Sequence, residues 1–172
     1  MKVKSRIFIR KNDKNKLMKE INLIFGDTTN SIKDSKFEII KYNDFSIICV
    51  DGKNLFFKPT TENKIPKYRN IGEKILPLLR GVIKFNLNYN LVKIDSGAIR
   101  FIVNGADVMC PGIVEADLNI QKGDSVIVID STHGKPLAIG IALVSGDSMK
   151  ADSGKAVKSV HFVGDELWNL EN

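Results

Sequence analysis

Residues 95–113, Asp-Ser-Gly-Ala-Ile-Arg-Phe-Ile-Val-Asn-Gly-Ala-Asp-Val-Met-Cys-Pro-Gly-Ile, constrain this chain more than any other stretch, because nearly every position starts or stops an element. Asp95 or Ser96 can serve as the N-cap of a helix, accepting from the orphan N–H groups of its first turn. Ile99, Ile102 and Val103 then share one helical face, with Gly97, Arg100 and Asn104 on the opposite one. Gly105 suits the left-handed position that follows a helix. Val108 and Met109 extend as a strand, and Pro111-Gly112 ends it as a type II turn does. The open face therefore runs small, then basic, then amide. Gly105, Ala106 and Gly112 have little or no side chain, so another backbone can come close. A helix–turn–strand that only packs a core carries the same pattern. In neither case does the stretch set an acid, base or nucleophile beside another; what it offers is contact, with a polyanion or with a partner.

A chain of 172 residues makes one large or two small domains, and 43% hydrophobic content supports a real core. The net charge of +6 is unevenly spread. Residues 1–88 hold 19 Lys and Arg against 9 Asp and Glu, a balance of +10; residues 89–172 hold 7 against 11, a balance of −4. Long-range attraction for a polyanion thus resides in the first half, where Lys2, Lys4, Arg6, Arg10, Lys11 and Lys14 form the expected basic surface. The same lysines equally serve as a solvating face.

Lys2 to Arg10 reads as an edge or half-exposed strand, with Val3, Ser5, Ile7 and Ile9 inward and Lys2, Lys4, Arg6, Phe8 and Arg10 outward. A helix follows, capped by Asn12 or Asp13, buried along Leu17, Ile21, Ile24 and Phe25, and ended by Gly26. Lys36 to Lys41 and Phe45 to Val50 are strands, and Asp51-Gly52 turns tightly into a third at Leu55 to Lys58. These make a small α+β domain with a three- or four-stranded antiparallel sheet. Pro59 to Asn70 reads as loop, Gly72 to Leu79 as helix interrupted by Pro77, and the domain boundary falls in the Asn-rich 84–90 segment. The second domain is mainly β. Along its 137–143 strand Leu137, Ile139, Ile141 and Leu143 are expected to fill a barrel interior, and Ala138, Gly140 and Ala142 to leave a bare outer face. Trp168 is expected to cap that barrel.

Catalysis has no visible basis. Asp117, Asp124, Asp130, Asp147 and Asp152 sit at turns and caps, not in apolar pairs that split their acidities. His133 and His161 stand apart from each other, Cys49 and Cys110 sit in apolar strands, and no Cys-x-x-Cys, phosphate loop or dinucleotide fingerprint occurs. No catalytic residue, metal or cofactor is therefore expected. No apolar run approaches the roughly 18 residues of a membrane span, and the alternating basic start lacks the apolar core of a signal peptide. A cytoplasmic protein with no membrane partner is the simplest account.

Gly97-Ala98 followed by Asn104-Gly105-Ala106-Asp107-Val108-Met109-Cys110-Pro111-Gly112-Ile113 resembles the signature of the PUA domain, a small RNA-binding pseudo-barrel. The closing Val160-His161-Phe162 with Asp165, Leu167 and Trp168 is similar to one subfamily, that of the malignant T-cell amplified sequence protein and its archaeal relatives. Gly52 to Phe57 also resembles a hairpin of that subfamily's N-terminal domain. The resemblance implies an α+β chain in two parts, a basic N-terminal domain over 1–86 and a PUA-type β pseudo-barrel over 87–172. It implies RNA binding in translation, at initiation or in handling tRNA, with structured RNA (tRNA or ribosomal RNA), the small ribosomal subunit and a protein partner as the expected contacts. In that picture Gly97, Gly105, Ala106 and Gly112 allow close approach, Arg100 donates to phosphate, Asn104 adds amide hydrogen bonds, and Lys135, Lys155 and Lys158 supply further phosphate contacts. A protein-interaction adaptor, or an accessory subunit of a tRNA-modifying enzyme, is the competing expectation.

Overall fold

In the computed structural model, which describes residues 2–60 and 71–170, the chain divides into two units, 2–87 and 88–170. The first is organised by its hairpins. Asp51 and Gly52 take φ of 47° and 77°, the paired left-handed conformations of a two-residue turn, and so join strands Phe45–Val50 and Lys53–Pro59. In chain order the unit comprises β1 (Ser5–Phe8), α1 (Lys11–Phe25), a 3-10 segment (Gly26–Ile32), β2 (Phe37–Lys41), β3 (Phe45–Val50), β4 (Lys53–Pro59), β5 (Leu76–Pro77) and α2 (Leu79–Phe85). The strands form one antiparallel sheet ordered β1-β2-β3-β4-β5. Leu55, Phe56 and Phe57 are all buried, so both faces of β4 are covered. Phe56 stacks between Phe25 of α1 and Phe85 of α2, with ring centroids 5.4 and 5.9 Å away.

Several expectations for this unit need correcting. The first strand spans four residues, not nine, and Ile7 and Val3, expected inward, are 51% and 47% exposed because β1 is the sheet's outer edge. Helix α1 begins at Lys11 with Arg10 at the cap position and no side-chain cap. Its buried stripe is Met18, Ile21 and Phe25; Leu17 and Ile24 are half-buried. Gly26 ends it as expected, its N–H donating to the Asn22 carbonyl. The sheet has five strands, since Leu76-Pro77 pairs with β4 where a helix was expected. Proline lacks an N–H, so Pro77 fits a sheet edge and not a helix interior, and the helix starts only after it, at Leu79. The 84–90 segment supplies the end of α2, with Asn86 in the left-handed region. Of the expected loop over 59–70, residues 61–70 lie outside the described residues.

The second unit comprises β6 (Leu91–Ile94), α3 (Ser96–Ile102), β7 (Val108–Met109), β8 (Ile113–Ala116), β9 (Ser125–Asp130), β10 (Pro136–Ala142) and β11 (Lys155–Phe162). Its sheet runs β7-β11-β10-β9-β6-β8, with β6 and β9 parallel. The two end strands, β7 and β8, are consecutive in the chain and joined by a 3-10 turn at Cys110–Gly112, so the sheet curls almost shut on itself. The interior holds Val92, Val126, Val128, Val157, Ile94 and Ile102 among others.

Strand β10 keeps the expected sidedness only in part: Leu137 packs against the barrel core and Ile139 is fully buried, but a register shift against β11 falls between Ile139 and Gly140. Ala138 and Ala142 belong to the barrel core, and Ile141 is only half-buried. The reason is space: a Cβ on Gly140 would lie 2.3 Å from Val157 Cγ1 and 2.7 Å from the Lys158 carbonyl oxygen. A barrel this narrow takes small residues where its walls approach. Trp168 is half-buried in the closing turn, where its backbone N–H donates to Asp165 Oδ1 at 2.8 Å. Among the described residues no helix is long and apolar enough to cross a membrane.

Candidate functional site

Helix α3 and its two flanking turns build a cleft of about 690 Å³ in the second unit. Asp95 is the N-cap: its Oδ1 accepts from the Ala98 N–H at 2.8 Å, a bond that contributes about 1 kcal/mol. At the other end Gly105, at φ +84°, reverses the chain. Its N–H donates to the Ile102 carbonyl and the Ala106 N–H to the Phe101 carbonyl, the Schellman pairing. The chain leaving this stop runs back beside the helix as β7. The floor and walls of the cleft are Ala98, Phe101, Ile102, Ala106, Met109 and Pro111, with Gly112 packed beside Ala98, Gly97 where main chain lies open, and Asp107 and Lys155 at the polar end.

Two large apolar side chains face water here. Phe101 is 53% and Met109 45% exposed. The Arg100 guanidinium lies 4.6 Å from the centroid of the Phe101 ring, a cation–π contact that keeps the charge beside the cleft. Lys155 reaches Asp107 Oδ2 at 2.9 Å, while Asp107 Oδ1 accepts from the Ser159 N–H at 3.0 Å. Burial pushes the Asp107 carboxyl up, but the hydrogen bonds from Lys155 and Ser159 and the Lys155 and Lys158 charges outweigh it, holding the group below its ordinary value. Asp107 therefore stays ionised and fixes one rim of the cleft to β11.

The sequence-based candidates divide accordingly. Gly97, Ala106, Gly112 and Lys155 line the cleft, and Arg100 stands one ring away. Gly105 does not offer the open approach expected of it. A Cβ there would lie 2.8 Å from the Phe162 ring, so its bareness admits Phe162. Gly112 is bare for a related reason, since its Cβ would meet the Ala98 Cβ at 3.1 Å. Its turn is 3-10, not type II: the Ile113 N–H donates to the Cys110 carbonyl in both, but Gly112 lacks the positive φ that a type II turn requires there. Asn104 is exposed just past the helix, its Nδ2 donating to the Arg100 carbonyl at 2.7 Å. Lys158 is half-buried on β11, and Lys135 stands in the turn before β10, outside the lining of the cleft. Phe101, Met109, Ala98 and Pro111 escaped the sequence reading. The signal for Phe101 was present: it lies four residues after Gly97 and three before Asn104, hence on the exposed face.

In the first unit two of the six expected basic contacts are already engaged. Arg6 forms an ion pair with Glu38, which raises its own already high pKa. Lys14 donates to the Ser35 carbonyl at 2.7 Å and lies 5.3 Å from the Phe37 ring centroid. Lys2, Lys4, Arg10 and Lys11 are exposed. A second depression, of about 440 Å³, gathers Lys11, Lys14, Lys33 and Lys36 beside Phe8. Lys33 and Lys36, separated from the others in sequence, were not anticipated. Among the described residues no group of three His, Cys, Asp or Glu side chains converges to hold a metal.

Residues 90–163 match the model of the PUA domain. Over the whole chain, an uncharacterized protein of Methanocaldococcus jannaschii is 42% identical across 173 aligned residues, 99% of each chain. Translation machinery-associated protein 20 of Saccharomyces cerevisiae is 33% identical over 80% of this chain and 74% of its own. Malignant T-cell-amplified sequence 1 of Danio rerio is 30% identical over 92% of this chain and 84% of its own. Among solved structures, a hypothetical protein from Pyrococcus horikoshii superposes with a TM-score of 0.80 at 31% identity, covering 98% of this chain and all of that one.

Proposed function

The chain belongs to the family of translation machinery-associated protein 20 and the malignant T-cell-amplified sequence proteins, and from that premise we propose that it is a non-catalytic RNA-binding protein of translation. Its second unit takes the unpaired end of a structured RNA, such as a tRNA acceptor end, and its first unit supplies attraction toward ribosomal RNA of the small subunit.

One observation carries this reading: an apolar cleft walled by exposed Phe101 and Met109, with cations beside it, lies in a unit whose net charge is −3 over residues 88–170. Non-specific phosphate binding does not need such a cleft; an unstacked nucleotide does. A base stacks on the Phe101 ring and its edge rests on Met109, while exposed Gly97 lets a ribose approach main chain. Arg100, stacked on the same ring, donates to the adjoining phosphate. Lys155 keeps donors to spare, since an ammonium has three and Asp107 accepts from it at a single oxygen. The acidic balance of the unit resists RNA elsewhere on its surface, which leaves the cleft as the favoured place. The basic first unit captures the polyanion at long range in proportion to its net +10.

The test is binding of a tRNA acceptor-stem minihelix with a single-stranded tail, against the same helix with a blunt end, titrated with salt. The tailed form binds more tightly, and Phe101→Ala erases most of the difference, about tenfold for one stacked base. Arg100→Ala weakens both forms and lowers the slope of log affinity on log salt by about one. Equal affinity of the tailed and blunt forms removes the cleft from the account.

A further inference from the structure

The two edges of the first unit's sheet are unlike. Strand β5 is two residues long and contains Pro77, features that keep an edge from pairing further. Strand β1 has neither protection. It pairs with β2 in the register Ile7↔Ile39 and Phe8↔Glu38, and the Ile9 N–H donates to the Phe37 carbonyl at 3.0 Å. In an antiparallel ladder the inward groups alternate, so the N–H and C=O of Arg6 and Phe8 point away from β2. Phe8 is 67% and Ile7 51% exposed, one on each side of the strand.

Each side adjoins a depression. One, about 500 Å³, is lined by Ile7, Ile39 and Ile48 with Arg10 and Lys41 at its margin; the other is the lysine-ringed hollow beside Phe8. An extended polypeptide that added itself to β1 would place alternate side chains over both. We propose that the free edge of β1 is a docking site for an acidic, extended segment of a partner protein, added to the sheet as a sixth strand.

Charge selects this occupant. The two depressions are lined by Lys11, Lys14, Lys33 and Lys36 against Asp34, and by Arg10, Lys41 and Lys58 against Asp13, while Glu38 is taken by Arg6. A second copy of β1 is disfavoured, because edge-to-edge pairing would set these cations against their own kind. Edge lysines alone are a common device against aggregation, but that device is served by polar neighbours and gives no reason for Ile7 and Phe8 to face water. RNA would use the cations and stack on Phe8, yet it makes no use of an alternating row of amide donors and carbonyl acceptors or of the aliphatic floor. The inference is independent of the cleft in the second unit.

The experiment uses the full chain, labelled with nitrogen-15, and a capped octapeptide of alternating glutamate and valine. Two further versions carry N-methyl groups on the odd or on the even residues. Addition as a strand requires one set of amides and leaves the other outside, so one methylated version binds as the parent does and the other loses binding. The Arg6 and Phe8 amide resonances move, and exchange of the Phe8 N–H slows. Phe8→Pro, which deletes an outward donor and leaves the β2 ladder whole, weakens the parent about tenfold. Two methylated peptides of equal affinity, resonance changes confined to other residues, or an oligouridylate that moves the same amides when the peptide does not, would each overturn the proposal.

Discussion

The first unit stacks Phe25, Phe56 and Phe85 around a single strand, whereas the second fills its interior with valines, isoleucines and alanines and admits Phe162 only at the margin. Their surfaces differ as sharply: basic with an open sheet edge in one, acidic with a nearly closed barrel and an apolar cleft in the other. A core of large rings is vulnerable to removal of volume, and a narrow barrel is vulnerable to its addition. The nearly closed barrel leaves only the short outer edges of β7 and β8, and what it presents is a cleft between a helix and its turns. The open sheet still has backbone to offer.

The largest expected effect tests the ring-stacked core. Phe56→Ala destabilises the first unit by about 4 kcal/mol, read as faster hydrogen exchange in β3 and β4 with little change in β9 and β10. Next comes the opposite insult to the barrel. Gly140→Ala forces a methyl into Val157 and the Lys158 carbonyl and costs about 2 kcal/mol, read as a lower denaturation midpoint for Trp168 fluorescence. If Gly140→Ala were neutral and a comparable truncation in the barrel, Val128→Ala, severe, the contrast between the cores would fail. The smallest effect concerns acid. Asp107, Asp130 and Asp147 in the second unit are held below the ordinary carboxylate value of 3.8, as is Asp51 in the first. A depressed carboxyl contributes stability that is complete above its unfolded value and fades as pH falls through the folded one. Between pH 4 and 2 the second unit should therefore lose more stability than the first, and Asp107→Asn should shrink that loss, measured by denaturant midpoints at each pH.

Much of this was legible because local chemistry decided it. The Asp95 cap, the Gly105 stop, the Asp51-Gly52 turn and the apolar 125–130 strand all rest on interactions within a few residues, and the structure has each of them. What misled was set by distant neighbours. The sidedness of β10 depends on Val157 and Lys158, the use of Gly105 on Phe162, and the pairing of Arg6 on Glu38, 32 residues away. Leu76-Pro77 reads as helix until β4 lies alongside. The cleft was half visible: its small residues stood out, but its wall did not, because an exposed phenylalanine on a helix counts as core in a pattern of apolar spacing.

Asp107 accepts from the Ser159 N–H across 52 residues, and β7 finds its pairing partner only in β11. The helix and turns of the cleft leave the ribosome well before the strand that pins them. On an emerging chain, then, the contacts that pin this pocket form only once β11 has been made, so its geometry is among the last features of the unit to be set.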